Sequence, residues 1–265
     1  MRSSQAYLHD IGILKNFNNQ LFRLTHCKAI RNSDYAKKHI KFVRKGDGGY
    51  VDKLDCSISR TKSRIRELAL CNPWEYFVTF TLDAKKYDRY NLPNYIKDLG
   101  VFIKNYNRLH NCSIKYILIP EQHEDGAWHL HGFFLGLQSE FLTLFAKDMH
   151  LPYQILKKLE KGRAVSSWDA YAKRFGWCTL EPIEDTEAAA SYITKYITKD
   201  VARSVTELNA HMYYCSKGLQ RAEVLGRRQM LKSIQNPTFS NDYVTIKDFH
   251  NKDEAINYFY EVSYG

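Results

Sequence analysis

With 265 residues, 44% of them hydrophobic and 26% charged, the chain suits one catalytic domain with extensions, or two small domains, around an ordinary core. Mean hydropathy is −0.49 and no stretch approaches 18 consecutive apolar residues, so no membrane span is expected, and the first residues lack the apolar core of a secretion signal. The net charge of +10 is uneven: residues 1–72 hold 15 Lys and Arg against 6 Asp and Glu, a surplus that favours a polyanionic partner, nucleic acid being the commonest.

In chain order, residues 1–59 are weakly patterned, with a turn at Lys45-Gly46-Asp47-Gly48-Gly49. Residues 60–71 (RTKSRIRELALC) read as a short basic helix that Asn72-Pro73 ends, and its Arg60, Lys62 and Arg64 are candidate DNA contacts. Tyr76–Leu82 (YFVTFTL) is rich in aromatic and β-branched residues and predicts a strand. Residues 94–109 then place Ile96, Leu99, Ile103, Tyr106 and Leu109 at helical spacing. A second strand, Ile114–Ile119, is closed by Pro120, and a third runs over Trp128–Leu137; the loop between them contains Asp125-Gly126 and fits a hairpin. Helices are expected near 139–149, 151–161 and 167–175, and a fourth strand at 177–183. Residues 186–200 read as a helix opened by Asp185 or Thr186. A fifth strand falls at 211–215 or 243–247. This order points to an α+β fold with a central, largely antiparallel five-stranded sheet flanked by helices. The six cysteines are scattered without a Cys-x-x-Cys pair, which disfavours a zinc site and fits reduced thiols.

His129 and His131 lie two apart in the third strand, so both imidazoles project from one face. Two imidazoles aimed at one point are half of a metal site. The hairpin brings the end of residues 114–120 beside 128–137, which makes Glu121 the first candidate for a third ligand and His123 the second. A carboxylate with two imidazoles and open positions suits Mg²⁺ or Mn²⁺ holding waters and a phosphate oxygen. In a chain with ten histidines one such spacing carries little weight alone. Its context adds the rest: Trp128 before it, Gly132-Phe133-Phe134 after it, and a carboxylate at the end of the preceding strand. Cupin-type enzymes also use His-x-His, but with a Glu a few residues on, and here the next is Glu140.

Tyr192 and Tyr196 are four apart on the 186–200 helix and share a face. Lys195 and Lys199 fall in the same arc, as does Ala188, whose small side chain permits close approach. Ile193 and Ile197 form the adjacent apolar stripe. Paired aromatics at this spacing commonly anchor a helix to a sheet, but such anchors rarely share their face with two ammonium groups. Read together, the two sites support phosphodiester chemistry. A metal polarises the scissile phosphate, and a tyrosine hydroxyl attacks and keeps the cut strand as a covalent ester. Lysines such as Lys195 lower the phenol pKa or, like Lys199, clamp phosphate.

These residues resemble the HUH endonucleases, specifically the rolling-circle replication initiators of single-stranded DNA phages and related elements. Phe77-Val78-Thr79-Phe80-Thr81 looks like the first-strand motif, and Pro120 to Gly132, with Glu121, His129 and His131, looks like the metal motif. Tyr192-Ile193-Thr194-Lys195-Tyr196 is similar to the two-tyrosine motif of filamentous-phage and microvirus initiators, and Tyr213 to Leu219 to a downstream element. The resemblance implies an HUH/RRM-like sheet and a nick at a replication origin. It implies a 5′-phosphotyrosine link with a free 3′-OH, metal bound by His129, His131 and Glu121, Tyr192 as first nucleophile and Tyr196 as second. It also implies origin or single-stranded DNA as partner in the cytoplasm of a bacterial host. No G-x-x-x-x-G-K-[ST] phosphate loop is present, so a host helicase is expected to unwind the duplex and a host polymerase to copy it.

The domain reading is a basic extension over residues 1–72, a nicking domain over 73–205, and a C-terminal extension over 206–265 packing on it. Relaxases and single-strand transposases share this chemistry. A reading from another class is a non-catalytic binder whose aromatic sheet stacks single-stranded bases.

Overall fold

The computed structural model of the chain describes residues 7–32, 50–198, 204 and 211–263. Strands β1 (Tyr7–Asn16) and β2 (Phe22–Arg31) come first, then helix α1 (Tyr50–Cys71), β3 (Tyr76–Thr81), α2 (Leu92–His110), β4 (Lys115–Gln122) and β5 (Trp128–Leu135). A 3₁₀ turn at Ser139–Phe141 leads to β6 (Leu142–Leu144), α3 (Tyr153–Glu160), β7 (Ser166–Trp168), α4 (Asp169–Arg174) and β8 (Cys178–Pro182). Next come α5 (Thr186–Ile193), a second 3₁₀ turn at Thr194–Tyr196, and β9 (Tyr214–Cys215). The chain closes with β10 (Glu223–Gln229), β11 (Phe239–Ser240), β12 (Val244–Phe249) and α6 (Lys252–Val262). The fold is α+β with antiparallel sheets, as the element order predicts.

Two compact units emerge: Met1–Gly49 with Gln220–Gly265, and Tyr50–Leu219. In the first, the sheet runs β10-β1-β2-β12-β11, so N- and C-terminal segments complete one another. Leu14, Phe22, Leu24 and Phe249 face Ala255, Phe259 and Val262 of α6. The weak patterning of residues 1–59 has a physical cause. Core-facing Gly12 contributes no side chain, because Met230 fills its place: a Cβ there would fall 2.3 Å from the Met230 sulfur. Residues 7–31 are thus strands of a shared sheet rather than a separate extension, and α1 belongs to the second unit.

The second unit holds the sheet β6-β7-β8-β3-β5-β4-β9. Its two faces differ because side chains alternate along each strand. Val78 and Phe80 of β3, Leu118 of β4 and Leu130 and Phe134 of β5 form one apolar face. Helix α2 covers it with Tyr95, Leu99, Ile103 and Tyr106, spaced at three and four residues. The Asn91 side chain caps the start of α2, and Asn111 ends it in the left-handed region at φ 53°. The opposite face carries Phe77, Thr79 and Thr81 of β3 with His129 and His131 of β5.

Two details seat that second face. Strand β4 continues through Pro120 to Gln122, two residues beyond the last position that β9 pairs, where a missing N–H costs no ladder bond on that side. The continuation sets Glu121 directly opposite His129. Gly132 lies under the chain of β4: a Cβ there would fall 1.9 Å from the Ile117 carbonyl oxygen.

Helices 151–161 and 167–175 shorten to α3 and α4, while the helix expected over 139–149 is replaced by a 3₁₀ turn and β6. Leu142 to Leu144 pair with β7, so tertiary pairing overrides local propensity. The 186–200 helix stops at Ile193 and tightens into a 3₁₀ turn over Thr194–Tyr196. Of the two places expected for a fifth strand, the 211–215 segment supplies β9 in the site-bearing sheet, and 243–247 falls in β12 of the other. No helix among the described residues is long and apolar enough to cross a membrane. Cys27, Cys71, Cys112, Cys178 and Cys215 are free thiols.

Candidate active site

The open face of the second sheet, α5 and the turn after it enclose a cleft of about 890 Å³. At its floor the pleat aligns two threonine–histidine pairs. Thr79 lies opposite His131 and Thr81 opposite His129, with hydroxyl-to-Nδ1 distances of 3.2 and 3.1 Å. A hydroxyl both donates and accepts, so it orients either tautomer and leaves each Nε2 pointing away from β3. The Nε2–H of His131 donates to Glu121 Oε2 at 2.7 Å. That hydrogen bond, ahead of the nearby imidazoles, holds the Glu121 carboxyl below its ordinary value. His123 Nε2 stands 4.0 Å from the same carboxylate oxygen, and its ring stacks on His129 with centroids 3.7 Å apart. Burial, and then the adjacent His123 and His131, push the His129 imidazole down to about 4. It is therefore neutral, the form that ligates metals, at ordinary pH.

Among the described residues, no three His, Cys, Asp or Glu side chains already surround one ion-sized point. The donor chemistry nevertheless matches a hard divalent cation: a carboxylate oxygen held ionised and imidazole nitrogens whose far sides are fixed by hydroxyls. The direct His131–Glu121 bond occupies the space between these donors.

The tyrosines enter from above. Asp185 caps α5 by accepting from the amides of Glu187 and Ala188, each at 2.9 Å, and Ala190, Ile193 and Ile197 are buried. The Tyr196 ring lies on His131, centroids 4.0 Å apart, and Tyr192 meets Phe77 edge-on at 5.4 Å. The Tyr196 hydroxyl donates to the Tyr192 oxygen at 3.0 Å. Burial, and then this bond, raise the Tyr196 phenol above its ordinary value. Tyr192 is 45% exposed, and Lys195 Nζ sits 5.1 Å from its ring centroid.

The structure thus brings together Glu121, His129, His131, Tyr192, Lys195 and Tyr196. The other expected DNA contacts do not line the cleft. Arg60 and Lys62 are exposed on α1, and Arg64 is half-buried with its guanidinium 3.2 Å from Glu67. Lys199 lies outside the described residues. Sequence reasoning assigned no part to Phe77, Thr79 or Thr81, although alternation in YFVTFTL already places them on one face. It also passed over Glu181, whose carboxylate is 8% exposed and takes Lys158 at 2.6 Å and Arg163 at 3.2 Å across the cleft. No local signal links those three positions.

Residues 75–201 match the family model of replication-associated proteins of the ORF2 and gene II type, a span that runs from the start of β3 past the tyrosine turn. No curated protein and no solved structure matches the chain. The similarity points to DNA replication and supports a rolling-circle initiator.

Proposed function

We propose that this protein is a rolling-circle replication initiator of the HUH type, which nicks and rejoins single-stranded DNA at an origin. One observation carries the reading: the Tyr196 ring on His131 holds the two phenol oxygens over the imidazole–carboxylate cluster. The similarity of residues 75–201 to replication-associated proteins supports it.

His129, His131 and Glu121 would hold Mg²⁺ or Mn²⁺, with His123 beside them. Such a cation polarises the scissile phosphodiester and offsets charge in the transition state. Tyr192 is the nucleophile, being the more exposed phenol and the acceptor of the bond between the two. Its oxygen bonds the phosphorus and gives up its proton, the P–O3′ bond breaks, and the 3′ oxygen takes a proton and leaves as a hydroxyl. The strand stays on a 5′-phosphotyrosine ester, which retains the bond for rejoining. Lys195 clamps the phosphate beside Tyr192. Tyr196 takes the second transfer. A host helicase and polymerase supply unwinding and synthesis in the bacterial cytoplasm.

The test is an origin-like single-stranded oligonucleotide incubated with the protein and Mn²⁺. A covalent adduct, mapped by peptide mass to Tyr192 and lost in Tyr192→Phe, is the expected result. Binding without adduct under both Mg²⁺ and Mn²⁺ sinks the reading and favours a non-catalytic binder.

A further inference from the structure

We infer that Trp177 is a nucleobase-stacking platform that sets which nucleotide step reaches the His129–His131 cluster, an inference that rests on the strand-nicking reading above. Strand β8 lies beside β3 on the side away from β5. Its ladder pairs Thr179 with Thr79 and Glu181 with Phe77, and the Thr81 amide donates to the Trp177 carbonyl at 2.8 Å. By alternation Trp177 shares the face of the histidines. Thr81 is the residue bonded to His129, so Trp177 stands two strands from that imidazole, roughly 10 Å at the usual strand spacing. Neighbouring nucleotides of one strand can occupy both positions.

The ring is built as a plate. Its neighbour Phe145 lies nearly parallel, planes 9° apart and centroids 5.1 Å apart, and is itself buried against Ile155, Leu159 and Val165. Trp177 still remains 38% exposed and lines the cleft, while Trp74, Trp128 and Trp168 are each 5% exposed or less. A large aromatic ring left partly in water forgoes burial that the other three tryptophans obtain. Arg163 and Lys158 line the same end of the cleft, both tethered to Glu181. The Arg163 side chain keeps 59% of its surface exposed. An aromatic plate beside cations is the combination that holds a base together with its phosphate.

The experiment titrates the full chain, in EDTA, with a thymidine oligomer of about twelve nucleotides, within the usual site size of single-strand binders. Trp177 dominates the quencher-accessible emission because the other tryptophans are buried. The expected result is quenching of that emission and protection from acrylamide, both absent in Trp177→Phe, which keeps the ring and most of the affinity. Trp177→Ala is expected to weaken binding roughly 5- to 150-fold, the range for one lost base–aromatic stack. In the adduct assay the same variant raises KM and blurs the position of the cut while leaving kcat within a few-fold. Unquenched emission in the parent chain, or Trp177→Ala binding within about twofold of it, overturns the platform. An adduct without quenching overturns the platform and leaves nicking standing. Quenching without an adduct supports the platform and removes nicking.

Discussion

The ring of Tyr196 lies flat against that of His131, with centroids 4.0 Å apart and planes 12° from parallel. This contact ties the tyrosine turn to the histidine strand and leaves the Tyr196 hydroxyl free to donate to Tyr192. The two phenols are therefore unequal. One is half-buried and spends its proton on the other, and the other is open to the cleft.

Tyr196→Phe keeps the stack and removes the donor. The first-cleavage rate is expected to fall about 5- to 10-fold, the worth of one hydrogen bond to a developing charge, with the adduct still on Tyr192. Tyr196→Ala, which also removes the stack, is expected to cost more. Single-turnover kinetics with peptide mapping decides it, and an adduct on Tyr196 in the parent chain reverses the assignment.

Thr79 and Thr81 touch the imidazoles from behind. Thr79→Val and Thr81→Val are expected to weaken Mn²⁺ binding about 10- to 100-fold each, as loss of an orienting partner does at metal-bound histidines. Calorimetric titration with Mn²⁺ alone measures this without any reaction. His129→Ala and His131→Ala are expected to abolish the binding. Affinities within about twofold of the parent in the threonine variants remove them from the site's support.

The His129 imidazole, pushed down to about 4 by burial first and neighbouring imidazoles second, resists a proton that the unfolded chain accepts near the ordinary value of 6.5. Where the unfolded state binds more protons, stability falls as pH falls. The metal-free protein is expected to lose stability between about pH 6.5 and pH 4, and His129→Ala to flatten that slope. The ring is only half-buried, so the amplitude is well below that of a fully buried group. Urea midpoints in EDTA at pH 7, 5.5 and 4.5 read the effect. Equal slopes in parent and variant refute it.

Two glycines separate backbone from side-chain crowding. At Gly132 an added Cβ meets the Ile117 carbonyl at 1.9 Å, and that oxygen belongs to the sheet ladder and cannot retreat. Gly132→Ala is expected to cost more than about 3 kcal/mol and to disturb the histidine strand. At Gly12 the nearest atom is the flexible Met230 sulfur, and Gly12→Ala is expected to cost only about 1 kcal/mol. Chemical denaturation ranks the two, and a milder effect at Gly132 than at Gly12 contradicts this account.

Much of the site-bearing sheet is legible in the residues themselves. Strands β3, β4, β5 and β8, helix α2 and the Asp125-Gly126 hairpin all follow from alternation, helical spacing and turn chemistry. Strands β1 and β2 escape because their core-facing row contains Gly12 and His26, so the period of two fades. Strand β6 escapes because its pairing with β7 decides it.

By itself the sequence determined which side chains share a face. The pleat alone sets His129 with His131, and Phe77 with Thr79 and Thr81. It also placed Glu121 within reach of the histidines, since a hairpin is a local structure. Only the tertiary structure decided what stands beside those faces. The threonines behind the imidazoles, Tyr196 on His131, Glu181 joining Lys158 and Arg163, and the pairing of the two chain ends in one sheet all depend on strand order and register. Those are set by packing between segments far apart in the chain, for which no single segment carries a signal.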